Sequence, residues 1–100
     1  MSIYLKVHED NGKRIIAVCD KDLIGKVLKD KKGYMDLNTY RGFYVGKEVE
    51  DDEVKKELKN FSSINMVGEQ SVRIALEMDL VNKQDVMYIK NIPYIQVYKL

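Results

Sequence analysis

Residues 62–81 read SSINMVGEQSVRIALEMDLV, and their pattern indicates the fold class of the chain. Residues 64–67 predict a buried strand that turns at Gly68 into a helix over residues 69–80. Apolar residues wrap most of the circumference of that helix, which is typical of a helix packed on more than one side. Residues 86–89 predict the next strand, so the stretch forms a β-α-β unit.

Upstream of this unit, residues 2–20 predict an antiparallel hairpin. Asn11-Gly12 is the dipeptide that a two-residue type I′ turn prefers, because both central positions need positive φ. Counting outward from the turn pairs Val7 with Ile16 and Leu5 with Val18, which sets one apolar face. The same register places Tyr4 opposite Cys19.

The remaining segments complete the fold. Residues 51–60 predict a surface helix with acids first and lysines later, and residues 94–100 alternate as a final strand. Residues 20–28 predict a short helical turn and an extended segment, 29–42 a loop, and 43–45 a short strand. We therefore predict an α+β fold in a single domain, residues 1–100, with two main helices. Its mixed sheet combines the N-terminal hairpin, the β-α-β unit and a C-terminal strand.

Composition excludes several classes of protein. With one cysteine and one histidine in 100 residues, the chain has neither an intramolecular disulfide nor a Cys/His zinc cluster. The longest apolar run, residues 15–19, is five residues long and too short to span a bilayer. We expect a cytoplasmic protein with no metal, no cofactor and no membrane partner, and no paired carboxylates point to an enzyme.

Charge is distributed unevenly although the net charge is only +1. Residues 13–47 carry nine bases against four acids, whereas residues 48–85 carry ten acids against five bases. Basic residues interleaved with tyrosines 34, 40 and 44 suit RNA, since phosphates meet charge and unstacked bases meet rings. The basic residues predicted to contact RNA phosphates are Lys26, Lys29, Lys31, Lys32, Arg41 and Lys47. A solvated loop held by tyrosines is the alternative.

The last strand carries a second candidate surface. Tyr94, Gln96 and Tyr98 share one face, and Tyr94 and Gln96 are candidates for stacking on bases or hydrogen bonding to them. An amphipathic outer face explains the same pattern. The unpaired edge of this strand is also a candidate for pairing with a protein partner.

The turn at Gly68 offers an alternative function, an anion or small-molecule site of enzyme-like character at a helix N-terminus. Its candidate residues are Asn65, Gly68, Glu69 and Ser71, with Cys19 nearby. Neither nucleotide-binding fingerprint is met, and Glu69 already places negative charge at that helix end. Cys19 itself is expected to be a small core residue, and His8 a solvated strand-end residue.

Several fragments, in order along nearly the whole chain, resemble an archaeal family of small proteins known as domain-of-unknown-function 424. They are residues 17–20 (AVCD), 23–26 (LIGK), 43–48 (FYVGKE), 65–72 (NMVGEQSV) and 92–96 (IPYIQ). The resemblance implies an archaeal cytoplasmic protein with a compact α+β fold and no established activity. An archaeal distribution fits a role in translation or on the ribosome.

In the family pattern this position often carries histidine, where this chain has Tyr94, and tyrosine is a poor base at neutral pH. The resemblance therefore gives no support for catalysis or metal binding at this position. Taken together, the sequence favours a small non-enzymatic binding module whose partner is RNA or a ribonucleoprotein.

Overall fold

A computed structural model describes residues 2–99, which form eight strands and three α-helices. The strands are β1 (Ile3–Asp10), β2 (Lys13–Asp20), β3 (Val27–Lys29), β4 (Tyr34–Asp36), β5 (Lys47–Val49), β6 (Ser63–Val67), β7 (Met87–Ile89) and β8 (Ile92–Tyr98). The helices are α1 (Arg41–Tyr44), α2 (Asp51–Glu57) and α3 (Glu69–Glu77). Single 3-10 turns cover Lys21–Leu23 and Lys83–Asp85.

The strands form a mixed six-stranded sheet in the order β5-β1-β2-β6-β8-β7, and β3 and β4 form a separate hairpin. The predicted N-terminal hairpin is confirmed in its register, with Leu5 opposite Val18 and Tyr4 opposite Cys19. Asn11 and Gly12 both have positive φ, 52° and 77°, as the type I′ turn requires.

The β-α-β unit is confirmed as β6-α3-β7, with β8 inserted between its two strands. β8 runs antiparallel to both β6 and β7, so β6 and β7 are parallel to each other. β2 joins the unit by pairing parallel to β6. The sheet is therefore continuous from the N-terminal hairpin to the last strand, which confirms the α+β architecture. Leu100, the end of the predicted last strand, lies outside the described residues.

Two apolar cores lie on opposite faces of the sheet, which follows from the alternation of side chains along each strand. The larger core packs α2 and α3 against alternate strand residues such as Ile16, Val18 and Met66. The smaller core packs the β3-β4 hairpin against the other face, through Leu28 and its contacts with Val67 and Ile89.

The prediction of a strand at residues 43–45 is wrong, because Arg41–Tyr44 forms α1 and the strand starts at Lys47. Aromatic residues favour strands, but contacts with β1 decide the outcome here. His8 stacks on the Phe43 ring at 4.7 Å between centroids, and its Nε2 lies 2.9 Å from the Phe43 carbonyl. Lys6 Nζ donates to the Gly42 carbonyl at 2.7 Å. Side chains of β1 thus satisfy carbonyls that so short a helix leaves free.

Three further predictions need correction. Residues 29–42 are not all loop, because β4 pairs with β3. His8 is not a solvated side chain but is part-buried against α1. The two main helices start where predicted but end earlier, at Glu57 and Glu77. The predicted helical turn and extended segment within residues 20–28 are confirmed.

Candidate nucleic-acid interface

The β3-β4 hairpin presents basic and aromatic side chains on its outer side. Leu28 and Met35 point into the smaller core, so their neighbours along each strand point outward. Lys29 is opposite Tyr34, whose side chain is 63% exposed. The hairpin therefore places a cation beside an accessible ring.

The turn of this hairpin is held to the β7-β8 turn by one aspartate. Asp30 Oδ1 accepts from the backbone N–H groups of Lys32 at 2.8 Å and Gly33 at 3.1 Å. Its Oδ2 accepts from the backbone N–H of Lys90 at 2.9 Å. These bonds lower the pKa of the Asp30 carboxyl, that from Lys90 most. One carboxylate thus brings Lys31, Lys32 and Lys90 to the same end of the molecule.

The lysines of the hairpin form no ion pair within the described part of the chain, although the charge of Lys32 contributes to the lowered pKa of Asp30. No carboxylate lies within ion-pair distance of Lys26, Lys29, Lys31 or Lys32 among residues 2–99. Lys21, Lys47 and Lys55 are each paired with a glutamate, whereas Lys13, Lys59 and Lys83 have no ion pair among the described residues either. The hairpin is distinguished by placing four unpaired lysines within positions 26–32.

Arg41 lies at the base of the hairpin. Its guanidinium donates to the Asn38 side-chain oxygen at 3.2 Å and lies beside Gly25. Gly25 in turn donates its backbone N–H to the Leu37 carbonyl at 2.9 Å. We call residues 26–36 with Arg41 and Lys90 the basic hairpin patch. It contains six basic and two acidic residues, a net charge of +4.

Lys47 does not belong to this patch. It lies on β5, one edge of the sheet, whereas the hairpin turn contacts the β7-β8 turn at the other edge. Its ammonium pairs with Glu53 at 2.8 Å, which raises the pKa of Lys47. The surrounding cleft of about 790 Å³ is largely acidic, because it is lined by Glu48, Glu50, Asp52, Glu53 and Glu57 as well as Lys47 and Lys56.

The sheet face that carries the hairpin also has a polar strip that neither the hairpin nor α1 covers completely. Its polar residues are Lys6, Asn65 and Gln96, with the fully buried Ala17 between Lys6 and Asn65 in the cross-strand register. The Lys6 end is bonded to α1, whereas the Gln96 end is exposed. Tyr94 and Tyr98 flank Gln96 on β8, with Tyr94 half-buried against the smaller core and Tyr98 65% exposed.

At the Gly68 turn, the place of a bound anion is taken by a carboxylate of the chain itself. Asp20 Oδ1 accepts from Ser71 N at 2.9 Å and from Ser71 Oγ at 2.7 Å, and Oδ2 accepts from Gln70 N at 3.1 Å. Asp20 is 5% exposed and Ser71 is fully buried. Gly68 has φ +109°, and a Cβ there would overlap the Asp20 carboxylate. Of the alternative site residues, Ser71 thus bonds to Asp20 and Gly68 lies against it. Glu69 is exposed, and Asn65 lies on the polar strip.

Cys19 lies in the smaller core and is fully buried. Burial, with smaller contributions from the charges of Asp20 and Asp22, raises the pKa of its thiol to about 12. A thiol that stays protonated is a poor nucleophile. Cys19 is therefore a structural residue, and the prediction that it is a small core residue is confirmed.

Other kinds of site find little support in the described part of the chain. Residues 2–99 contain no group of three or more His, Cys, Asp or Glu side chains placed to hold a metal ion. Over the same range, every helix is too short or too polar to cross a bilayer.

Sequence reasoning missed Lys90, because it lies 60 positions from the aspartate that brings it to the hairpin. The signal for the hairpin turn was present in Asp30-Lys31-Lys32-Gly33, since aspartate commonly accepts from backbone N–H groups two and three residues on. Asp20 gave no comparable local signal, because its partners on α3 are 50 and 51 residues away.

The comparisons with known proteins agree with this fold. A crystal structure of an uncharacterized conserved protein from Methanopyrus kandleri has a TM-score of 0.81 to this chain, with 23% identity. The alignment covers 98% of this chain and 91% of that one. The class of protein is thus a small α+β protein with a fold found in archaea.

The chain belongs to the family described as "Protein of unknown function (DUF424)", which it matches over residues 8–100. No curated protein matches it at a significant level. The resemblance stated from sequence fragments is therefore confirmed.

Proposed function

We propose that this protein is a small, non-enzymatic, cytoplasmic module that binds RNA or a ribonucleoprotein through the basic hairpin patch. The observation that carries the proposal is the Asp30 contact, which gathers unpaired lysines from two turns. A lysine without an acidic partner keeps its charge available for phosphate, and binding is favoured by the counterions that it releases.

Exposed aromatic residues support RNA rather than a generic polyanion. Tyr34 and Tyr40 are 63% and 67% exposed on or near the hairpin, although rings of this size favour burial. Unstacked bases pack on such rings, and each stacked base contributes about 1–3 kcal/mol. Lysine and tyrosine side by side, as at Lys29 and Tyr34, supply both contacts at one position.

The role that we propose within the cell is an association with translation or the ribosome, where single-stranded RNA is abundant. Of the residues predicted from sequence, Lys26, Lys29, Lys31, Lys32 and Arg41 are proposed to contact phosphates. Lys90 joins them, and Lys47 is left out because Glu53 already pairs with it. Tyr94 and Gln96 belong to the adjoining polar strip.

The test is binding of single-stranded RNA oligonucleotides, followed by fluorescence anisotropy over a series of salt concentrations. The variant replaces Lys29, Lys31 and Lys32 with alanine. Its matched control replaces Lys21, Lys47 and Lys55, which are ion-paired, so that both variants lose three positive charges. Three lost phosphate contacts should reduce the slope of log K against log salt by about 2.

The control variant should keep the slope of the unmodified protein. Equal losses in the two variants would mean that net charge alone governs binding, and the patch would have no special role. If the unmodified protein shows no salt-dependent binding, the proposal is wrong.

A second candidate, a protein-interaction module, is favoured by the edge of β8. β7 pairs only with Ile92–Tyr94, so residues 95–98 have no strand partner on that side within the described part of the chain. An open strand edge can accept an extended peptide as an additional strand. Retention of a protein partner after ribonuclease treatment would favour this candidate over RNA.

A further inference from the structure

The polar strip contains two side-chain amides that face each other across neighbouring strands. Asn65 on β6 and Gln96 on β8 are direct cross-strand partners. Their neighbours Ile64, Met66 and Ile95 point into the larger core, so both amides lie on the opposite face, where the hairpin packs. Directly opposed residues have Cβ atoms about 5 Å apart. The two amides are therefore neighbours on one face of the sheet.

Neither amide is used by the fold. Among the hydrogen bonds of residues 2–99, none involves the side chain of Asn65 or Gln96. Within this range every fully buried side-chain N or O atom has a partner, so the polar atoms of these two amides are not fully buried. By contrast, Asn38 uses its side-chain oxygen to accept from Arg41. Each free amide has donors on its nitrogen and an acceptor oxygen beside them. The strip thus offers two adjacent donor–acceptor pairs.

We propose that the Asn65–Gln96 amide pair recognises an adenine base of the single-stranded RNA held by the basic hairpin patch. Adenine has an amino group, N6, with a ring acceptor on each side, N7 and N1. An amide bonds N6 and N7 in the way that Asn and Gln read adenine in DNA. The second amide, whose Cβ atom is only about 5 Å from that of the first, accepts the remaining hydrogen of N6, which is free in single-stranded RNA. This arrangement uses both hydrogens of the N6 amino group and the N7 acceptor.

The position of the pair suits this occupant. Tyr94 is two residues from Gln96 on the same face of β8, about 7 Å along the strand, and it packs against the core beneath the hairpin. RNA whose phosphates contact the patch therefore passes close to the amides, and positive charge next to the strip favours a polyanion over a neutral ligand. Tyr98, 65% exposed on the other side of Gln96, is accessible for stacking.

The experiment compares binding of oligo(A), oligo(C) and oligo(U) RNA of equal length to the unmodified protein and to the double variant Asn65→Ala/Gln96→Ala. We expect the unmodified protein to prefer oligo(A) by at least about fivefold, and the double variant to bind all three within about twofold. The salt dependence should be unchanged, because no phosphate contact is lost. Oligo(A) with 7-deazaadenine, which lacks the N7 acceptor, should lose part of the preference.

The matched control is Asn82→Ala/Gln84→Ala, which removes two exposed amides beside the 3-10 turn and should leave the preference intact. Thermal unfolding of both variants excludes a loss caused by misfolding. This inference rests on the proposed function, and the two fail in different ways. Salt-dependent binding without base preference overturns the amide pair alone, as does an equal loss for all three RNAs. No binding to any RNA overturns the proposed function.

Discussion

Two aspartates in this molecule accept similar sets of hydrogen bonds, one in the protein interior and the other at the surface. Asp20 and Asp30 each accept three hydrogen bonds and each join segments at least 50 residues apart. Asp20 is buried and holds the start of α3, whereas Asp30 is exposed and holds two turns that carry lysines. The Asp20 contact stabilises the fold alone, whereas the Asp30 contact uses backbone N–H groups and leaves the lysine side chains exposed.

The two aspartates differ in which groups they leave available for a ligand. At the Asp20 junction the N–H groups of Gln70 and Ser71 and the Ser71 hydroxyl donate to Asp20, so an external anion would have to displace this carboxylate to use them. At the Asp30 junction only backbone N–H groups are consumed, and the Lys31 and Lys32 side chains remain available. Asp20 thus occupies donors of the candidate anion site at Gly68, whereas Asp30 holds together the backbone of the basic hairpin patch.

The largest effect is expected from Gly68→Ala. A side chain at φ +109° is strained, and its Cβ would displace the Asp20 carboxylate from α3, so we expect a loss of about 3 kcal/mol or more in the free energy of unfolding. Urea denaturation measures it. Gly12→Ala is the control, because Gly12 also has positive φ but has open space around it, and about 1 kcal/mol is expected. Equal losses would show that Asp20 contributes nothing beyond backbone strain.

Asp20→Ala comes next, with an expected loss of about 2–3 kcal/mol in the free energy of unfolding. The substitution leaves the buried Ser71 N–H and hydroxyl without their acceptor. Asp22→Ala, which removes an exposed acid two residues away, should change stability by less than about 0.5 kcal/mol. A similar effect from both variants in urea denaturation would contradict the internal role of Asp20.

A smaller effect on stability, but a clear one on binding, is expected from Asp30→Ala. Amide hydrogen exchange at Lys32 and Lys90 should become faster, because both N–H groups lose their acceptor. RNA affinity should fall even though a negative charge has been removed, since the lysines are no longer held together. A rise in affinity would mean that the charge count matters and the geometry does not.

The smallest effect is a pH dependence on the acid side. Because the pKa of Asp30 is lowered in the folded protein, its contribution is complete above the ordinary aspartate pKa near 4 and is lost as the pH falls through the lower, folded value. Stability measured by denaturation below about pH 4 should therefore fall more steeply in the unmodified protein than in Asp30→Asn. Parallel curves would show that this carboxylate does not couple to folding.

Much of the fold follows from short-range signals in the sequence. The Asn11-Gly12 turn sets the register of β1 and β2, and the change of period at Gly68 marks the passage from β6 to α3. The lysines of the candidate site were also visible as a cluster. What local patterns failed to give were the helix at Arg41–Tyr44 and the separation of Lys47 from the other bases.

Turn chemistry and hydrophobic period predict the α+β class, the N-terminal hairpin and the β-α-β unit, because both act between residues a few positions apart. The contact of Asp20 with the start of α3 and the position of Lys90 beside the hairpin lysines arise only on folding. The same holds for the cross-strand pairing of Asn65 with Gln96. These contacts join residues 31 to 60 positions apart, so they depend on the order of strands in the sheet.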